Sequence, residues 1–97
     1  MPKHTTKRAV WKFPVPLGTS SDVFTITMPE GAEPLTVQVQ SSEPQIWALV
    51  NPENPLTSRR FRMAGTGHPI SEEITRYVGT FQVFGGSLIF HVFEVSV

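Results

Sequence analysis

Residues 59–70 read Arg-Arg-Phe-Arg-Met-Ala-Gly-Thr-Gly-His-Pro-Ile, which places three arginines, two glycines and a histidine within twelve positions. These types suit an anion. Guanidinium forks match phosphate oxygens. Arg60 and Arg62 lie two apart, so an extended backbone puts both on one face. Gly65 and Gly67 let successive N–H groups converge on one centre. Thr66 adds a hydroxyl, and His68 adds a ring that can donate. Trp11 and Tyr77 offer faces on which a base could stack. The expected ligand is a small phosphate-bearing molecule of nucleotide character. The plainer alternative uses the same residues: Gly65 and Gly67 make a tight turn, and the arginines are solvated or pair with acidic groups elsewhere. Both readings stand at this point.

Covalent chemistry finds less to work with. The histidines, His4, His68 and His91, are dispersed and have no zinc-ligand spacing, and there is no cysteine. No nucleophile elbow, Walker loop or paired-carboxylate motif occurs. Glu72 and Glu73 are adjacent and would diverge on a helical turn. The expectation is a non-enzymatic protein without metal or cofactor. A weak phosphodiesterase built on His68 is the enzymatic alternative. His91 reads as a half-buried strand residue, Trp47 as core or subunit packing, and Trp11 as a rim residue.

The elements that must position these groups follow from length and punctuation. A chain of 97 residues implies one domain with a thin core. Nine prolines and seven glycines separate short runs of alternating polarity. Val10–Val15 reads as a first strand. Phe24, Ile26 and Met28 share a face, as do Leu35, Val37 and Val39. Residues 46–50, Ile-Trp-Ala-Leu-Val, suggest a strand buried on both faces. Phe61 and Met63 alternate with Arg60 and Arg62. Ser71 is a candidate cap for one helical turn through Glu72 and Glu73. Gly85-Gly86 suits a primed two-residue turn. It would pair Val83 with Leu88, Phe81 with Phe90, Thr80 with His91, Gly79 with Val92, and Val78 with Phe93. The closing strand has no evident partner for residues 94–97, which a neighbouring subunit could supply. The sum is an all-β fold: a small antiparallel sandwich or barrel of about seven strands over residues 9–97, preceded by a disordered basic arm over 1–8.

Charge is segregated although the net is zero. Lys3, Lys7, Arg8 and Lys12 open the chain. No lysine or arginine occurs from Phe13 to Ser58, against Asp22, Glu30, Glu33, Glu43 and Glu53. Such a dipolar surface suits contacts between subunits, so a homo-oligomer is expected. It lacks the broad positive face that duplex nucleic acid needs. No apolar run is long enough for a membrane span or a signal peptide, which points to the cytoplasm.

Taken in order, the segments WKFPVP, ITMPEGAEPLTVQVQ, IWALVNP, RRFRMAGTGHPI, RYVGTFQ and GGSLIFHVFE resemble a family of small uncharacterised proteins of tailed bacteriophages and prophages. The resemblance spans residues 10–94. It carries no activity and no catalytic residues. It implies an accessory protein made in the host cytoplasm, and three roles fit that context. One is sequestration of a host nucleotide immune signal, an anti-defence role. Another is interaction with a host protein. The third is a structural part of the virion.

Overall fold

The computed structural model describes residues 7–18 and 22–97. Seven strands follow one another: β1 (Ala9–Pro14), β2 (Val23–Pro29), β3 (Glu33–Gln40), β4 (Glu43–Val50), β5 (Leu56–Gly65), β6 (Ile74–Val83) and β7 (Leu88–Val95). They form two antiparallel sheets, ordered β1-β4-β3 and β2-β5-β7-β6. The fold is a sandwich rather than a closed barrel. Residues 1–6 of the expected arm lie outside the described residues. Lys7 and Arg8 are exposed and precede the first strand.

Alternation builds the core. Phe24, Ile26, Met28, Phe61, Met63, Phe81, Val83 and Val92 are buried on one sheet, and Val37, Ile46, Ala48 and Val50 on the other. Phe24 stacks on Phe61 with ring centroids 5.7 Å apart, as expected of residues opposite each other in register. Each fully buried side chain of this size contributes about 1.5–3 kcal/mol.

The final hairpin takes the register counted outward from its glycines, from Val83–Leu88 through Gly79–Val92. Gly85 and Gly86 have φ of 65° and 89°, as a primed turn requires. The Ser87 amide closes the turn on the Phe84 carbonyl at 3.2 Å.

Several expectations need correction. Leu35 is exposed, because the ladder shifts between Pro34 and Thr36 and the extra residue bulges outward. Val39 is exposed as well, near the turn that ends β3. Residues 46–50 alternate instead of being buried throughout: Trp47 and Leu49 are half-buried on the outer face of a central strand. Val78 does not face Phe93. A second irregularity gives that place to Tyr77 and turns Val78 into the core. Ser71–Glu73 forms no helical turn. The Glu73 carbonyl accepts the Ser96 amide at 2.9 Å, which draws the segment out beside β7. Residues 94–96 are paired within the chain as well, and Val97 is exposed. Val95 pairs with Arg60 on one side and Ile74 on the other.

Two local features fix how the sheets meet and turn. Gly79 lets β6 press against β3: a Cβ there would lie 2.9 Å from Val37 Cγ1 and 3.2 Å from the Val37 amide nitrogen. Ser41 and Ser42 carry the β3–β4 turn at φ of 52° and 70°, a left-handed pair filled without glycine.

Gly79→Ala is therefore expected to cost about 1–3 kcal/mol through overpacking against backbone, read as a fall in the urea midpoint. The double change Ser41→Asn with Ser42→Gly is expected to raise stability by about 1 kcal/mol, because it supplies residues that favour that turn. A midpoint that does not rise would reject this account of the turn.

Candidate functional site

β5 carries the arginines. Phe61 and Met63 point into the core, so Arg60 and Arg62 point outward. Arg62 lies in register between Val23 and Phe93, and Arg60 between Thr25 and Val95. Arg59 is on the inner side near the end of the sandwich. Its Nε and Nη2 grip both carboxylate oxygens of Glu94, the latter at 2.9 Å.

The path of the chain decides what Arg62 does. β5 and β6 both run antiparallel to β7, which lies between them. They are therefore parallel to each other, and residues 66–73 must cross over β7. Arg62 fastens this crossing. Its Nη1 donates to Glu72 Oε1 at 3.2 Å and Oε2 at 3.4 Å, and its Nη2 donates to the Pro69 carbonyl at 3.2 Å. Both side chains are mostly buried, each at 16% exposure. Arg62 Nε is buried with no hydrogen-bond partner. Ala64 and Val95 belong to the outer rows of the sheet and are nevertheless buried. The crossing runs over this same face, fastened to it by Arg62. Arg60 Nη1 donates to the Ser96 carbonyl at 3.2 Å.

The glycine bend is a turn closed on itself. The His68 amide donates to the Gly65 carbonyl at 3.0 Å, and Gly67 takes φ of 87°. Gly65 has a steric purpose: a Cβ there would stand 2.9 Å from His68 Nδ1. The His68 ring therefore rests on the backbone at that point.

Beside the bend runs a hydrogen-bonded chain of side chains. Thr66 Oγ1 meets His91 Nε2 at 2.6 Å, and His91 Nδ1 meets Thr80 Oγ1 at 2.9 Å. Thr80 Oγ1 also meets the Tyr77 hydroxyl at 2.6 Å. Both ring nitrogens of His91 are thus engaged, joining β5 to β6 across β7. Gly65, Thr66, His68, Leu88, Ile89 and Phe90 border an open hollow of about 300 Å³ at this end.

The expected site residues are thus only partly brought together. Gly65, Thr66, Gly67 and His68 share the bend, and Tyr77 joins it through Thr80 and His91. Arg60 and Arg62 lie on the same outer face, but Arg62 is committed to the crossing. Trp11 is on the other sheet, at the edge strand β1, beside Phe13 at 6.5 Å. Glu72, Thr80 and His91 are the participants that the sequence reading did not assign. The opposition of Thr80 and His91 was available from the hairpin register alone.

A family model described as a domain of unknown function, DUF7352, matches residues 6–97. The chain belongs to that family. No curated protein and no solved structure matches it. In this DUF7352 member, the polar groups around Arg62 and His91 thus organise a chain crossing, and exposed groups are left at its rim. Among the described residues, no helix is long and apolar enough to cross a membrane.

Arg62→Ala should strand the Glu72 carboxylate and free the crossing, at a cost of about 2–3 kcal/mol. Hydrogen exchange should show faster amide exchange across residues 66–73 than in the body of the sheets. Unchanged protection there would remove Arg62 from this role.

Proposed function

We propose that this DUF7352 member is a non-enzymatic phage or prophage accessory protein. On this reading it works in the host cytoplasm by docking on a host or particle protein through its Gly85-Gly86 hairpin end. The motif resemblance supplies the phage context. One observation supports the contact surface. Phe84 is 72% exposed at the hairpin tip and sits at φ of 55°, a backbone region that bulky residues seldom take. Keeping a large aromatic there costs roughly 1 kcal/mol and returns nothing to the core. Beside it, Leu17, Met63, Val83, Leu88 and Phe90 line an open hollow of about 430 Å³. An aromatic anchor next to an apolar recess is the usual composition of a binding hot spot.

The non-enzymatic reading draws support from the same geometry. Both His91 nitrogens are held by threonines, and His68 lies against Gly65.

A second reading, capture of a small phosphate-bearing molecule in an anti-defence role, retains one specific support. Arg60 and Tyr77 share the outer face of the four-stranded sheet, and Tyr77 is 57% exposed. In that reading Arg60 would hold the phosphate and Tyr77 would stack on the base, while the bend at Thr66, Gly67 and His68 begins beyond Gly65, five residues further along the ladder.

The two readings separate by experiment. Phe84→Asn keeps a residue that tolerates the left-handed backbone, so thermal stability should hold or rise. Co-purification of a specific partner with the wild-type chain should drop at least tenfold. Retained co-purification would reject the hairpin end as the contact. A thermal-shift panel of mono-, di- and cyclic nucleotides should give no shift. A shift abolished by Arg60→Ala would instead establish the anion reading.

A further inference from the structure

The two sheets have four edge strands, and three of them are defended. β1 carries Lys12 at mid-strand and ends in Pro14. Lys12 is held there by Gln40 Oε1 at 2.6 Å and lies over the Trp47 ring. β3 bulges at Leu35. β6 is interrupted twice in register. These last two edges also face each other, through Gly79 against Val37 and through Arg76 Nη1 donating to the Pro34 carbonyl at 3.3 Å. Charge, bulges and coverage are the ordinary protections of a sheet edge.

Between Phe24 and Met28, β2 shows none of them among the described residues. Its sequence, Val-Phe-Thr-Ile-Thr-Met-Pro, contains no charge, and its only proline is the last residue. Its register with β5 runs unbroken from Val23–Arg62 to Pro29–Leu56. The bonds at its two ends set the phase of the ladder: the Met63 amide donates to the Asp22 carbonyl, and the Glu30 amide donates to the Pro55 carbonyl. Antiparallel alternation then turns the backbone groups of Phe24, Ile26 and Met28 toward β5. Those of Thr25 and Thr27 face the open edge.

We infer that β2 is a pairing edge for a second copy of this chain, joined antiparallel about a twofold axis at Ile26. Thr25 of one copy then stands opposite Thr27 of the other, and each pair exchanges two N–H···O bonds. The match is self-complementary, as an isologous contact requires. Threonines line the outer face of the junction, and a threonine pair directly across strands is favourable. On the inner face, Phe24 meets Met28 of the second copy and Ile26 meets its own equivalent, so the apolar core continues across the junction. Two four-stranded sheets become one continuous sheet. Asp22 and Glu30 fall opposite each other at the two ends, and both are exposed. Added salt should therefore tighten the pairing slightly. The inference does not depend on the hairpin-end reading, which uses other residues.

Light scattering of the full chain over a dilution series tests it. The expected mass at high concentration is twice 10.8 kDa. Thr25→Pro removes an amide that points to the open edge and leaves the β5 ladder intact. It should give 10.8 kDa with thermal unfolding close to wild type. Thr25→Ser keeps the amide and should stay dimeric. If Thr25→Pro does not fold, hydrogen exchange on the wild type decides. The Thr25 and Thr27 amides should be protected at high concentration and lose protection on dilution. A wild-type chain that stays at 10.8 kDa throughout, a dimeric Thr25→Pro variant, or unprotected Thr25 and Thr27 amides in a dimer would each overturn the inference.

Discussion

The placement of β7 between β5 and β6 is the constraint on which this architecture depends. It makes two strands parallel that are consecutive in sequence, and it obliges eight residues to travel back over an outer sheet face. Such a short crossing cannot include a helix, so it has no packing layer of its own. The Arg62 guanidinium supplies the anchorage by gripping a carboxylate and a carbonyl of the returning chain. The His91 chain makes a second fastening nearer the bend. Both lie on the same face of this sheet, whose outer rows also hold the buried Ala64 and Val95. The protein thus has three tiers where a plain sandwich has two.

Much of the fold was legible because period-two patterning and turn chemistry are local. The Gly85-Gly86 register followed from counting, and Phe61 and Met63 followed from alternation. What escaped was non-local or depended on one extra residue. Nothing in Leu-Thr-Val-Gln-Val-Gln announces that Leu35 bulges. The reason lies in the partner strand, where Ala48 and Trp47 face Pro34 and Thr36. Likewise Ser-Glu-Glu-Ile looks like a helix start by local rules. It is extended because Arg62, ten residues earlier, claims Glu72, and Ser96 claims Glu73.

The candidate site was legible in its residue types and not in its allegiances. Arginines beside a glycine bend satisfy the requirements of an anion cradle and of a chain clasp equally well. Only the order of strands in the sheet tells them apart, and no short window of sequence encodes that order. Gly65 shows the same ambiguity. It reads as backbone freedom for a ligand, yet its missing side chain makes room for the His68 ring.

The central position of β7 also bears on how the molecule is made. It is the last strand of the sandwich in chain order, and it forms two of the three seams of the larger sheet. During translation β1, β3 and β4 can assemble early, whereas β5 and β6 have no common neighbour until β7 leaves the ribosome. For that interval Met63 and Phe81 lack their in-sheet neighbours Val92 and Phe90. Nascent chains in this state are the ones that chaperones engage.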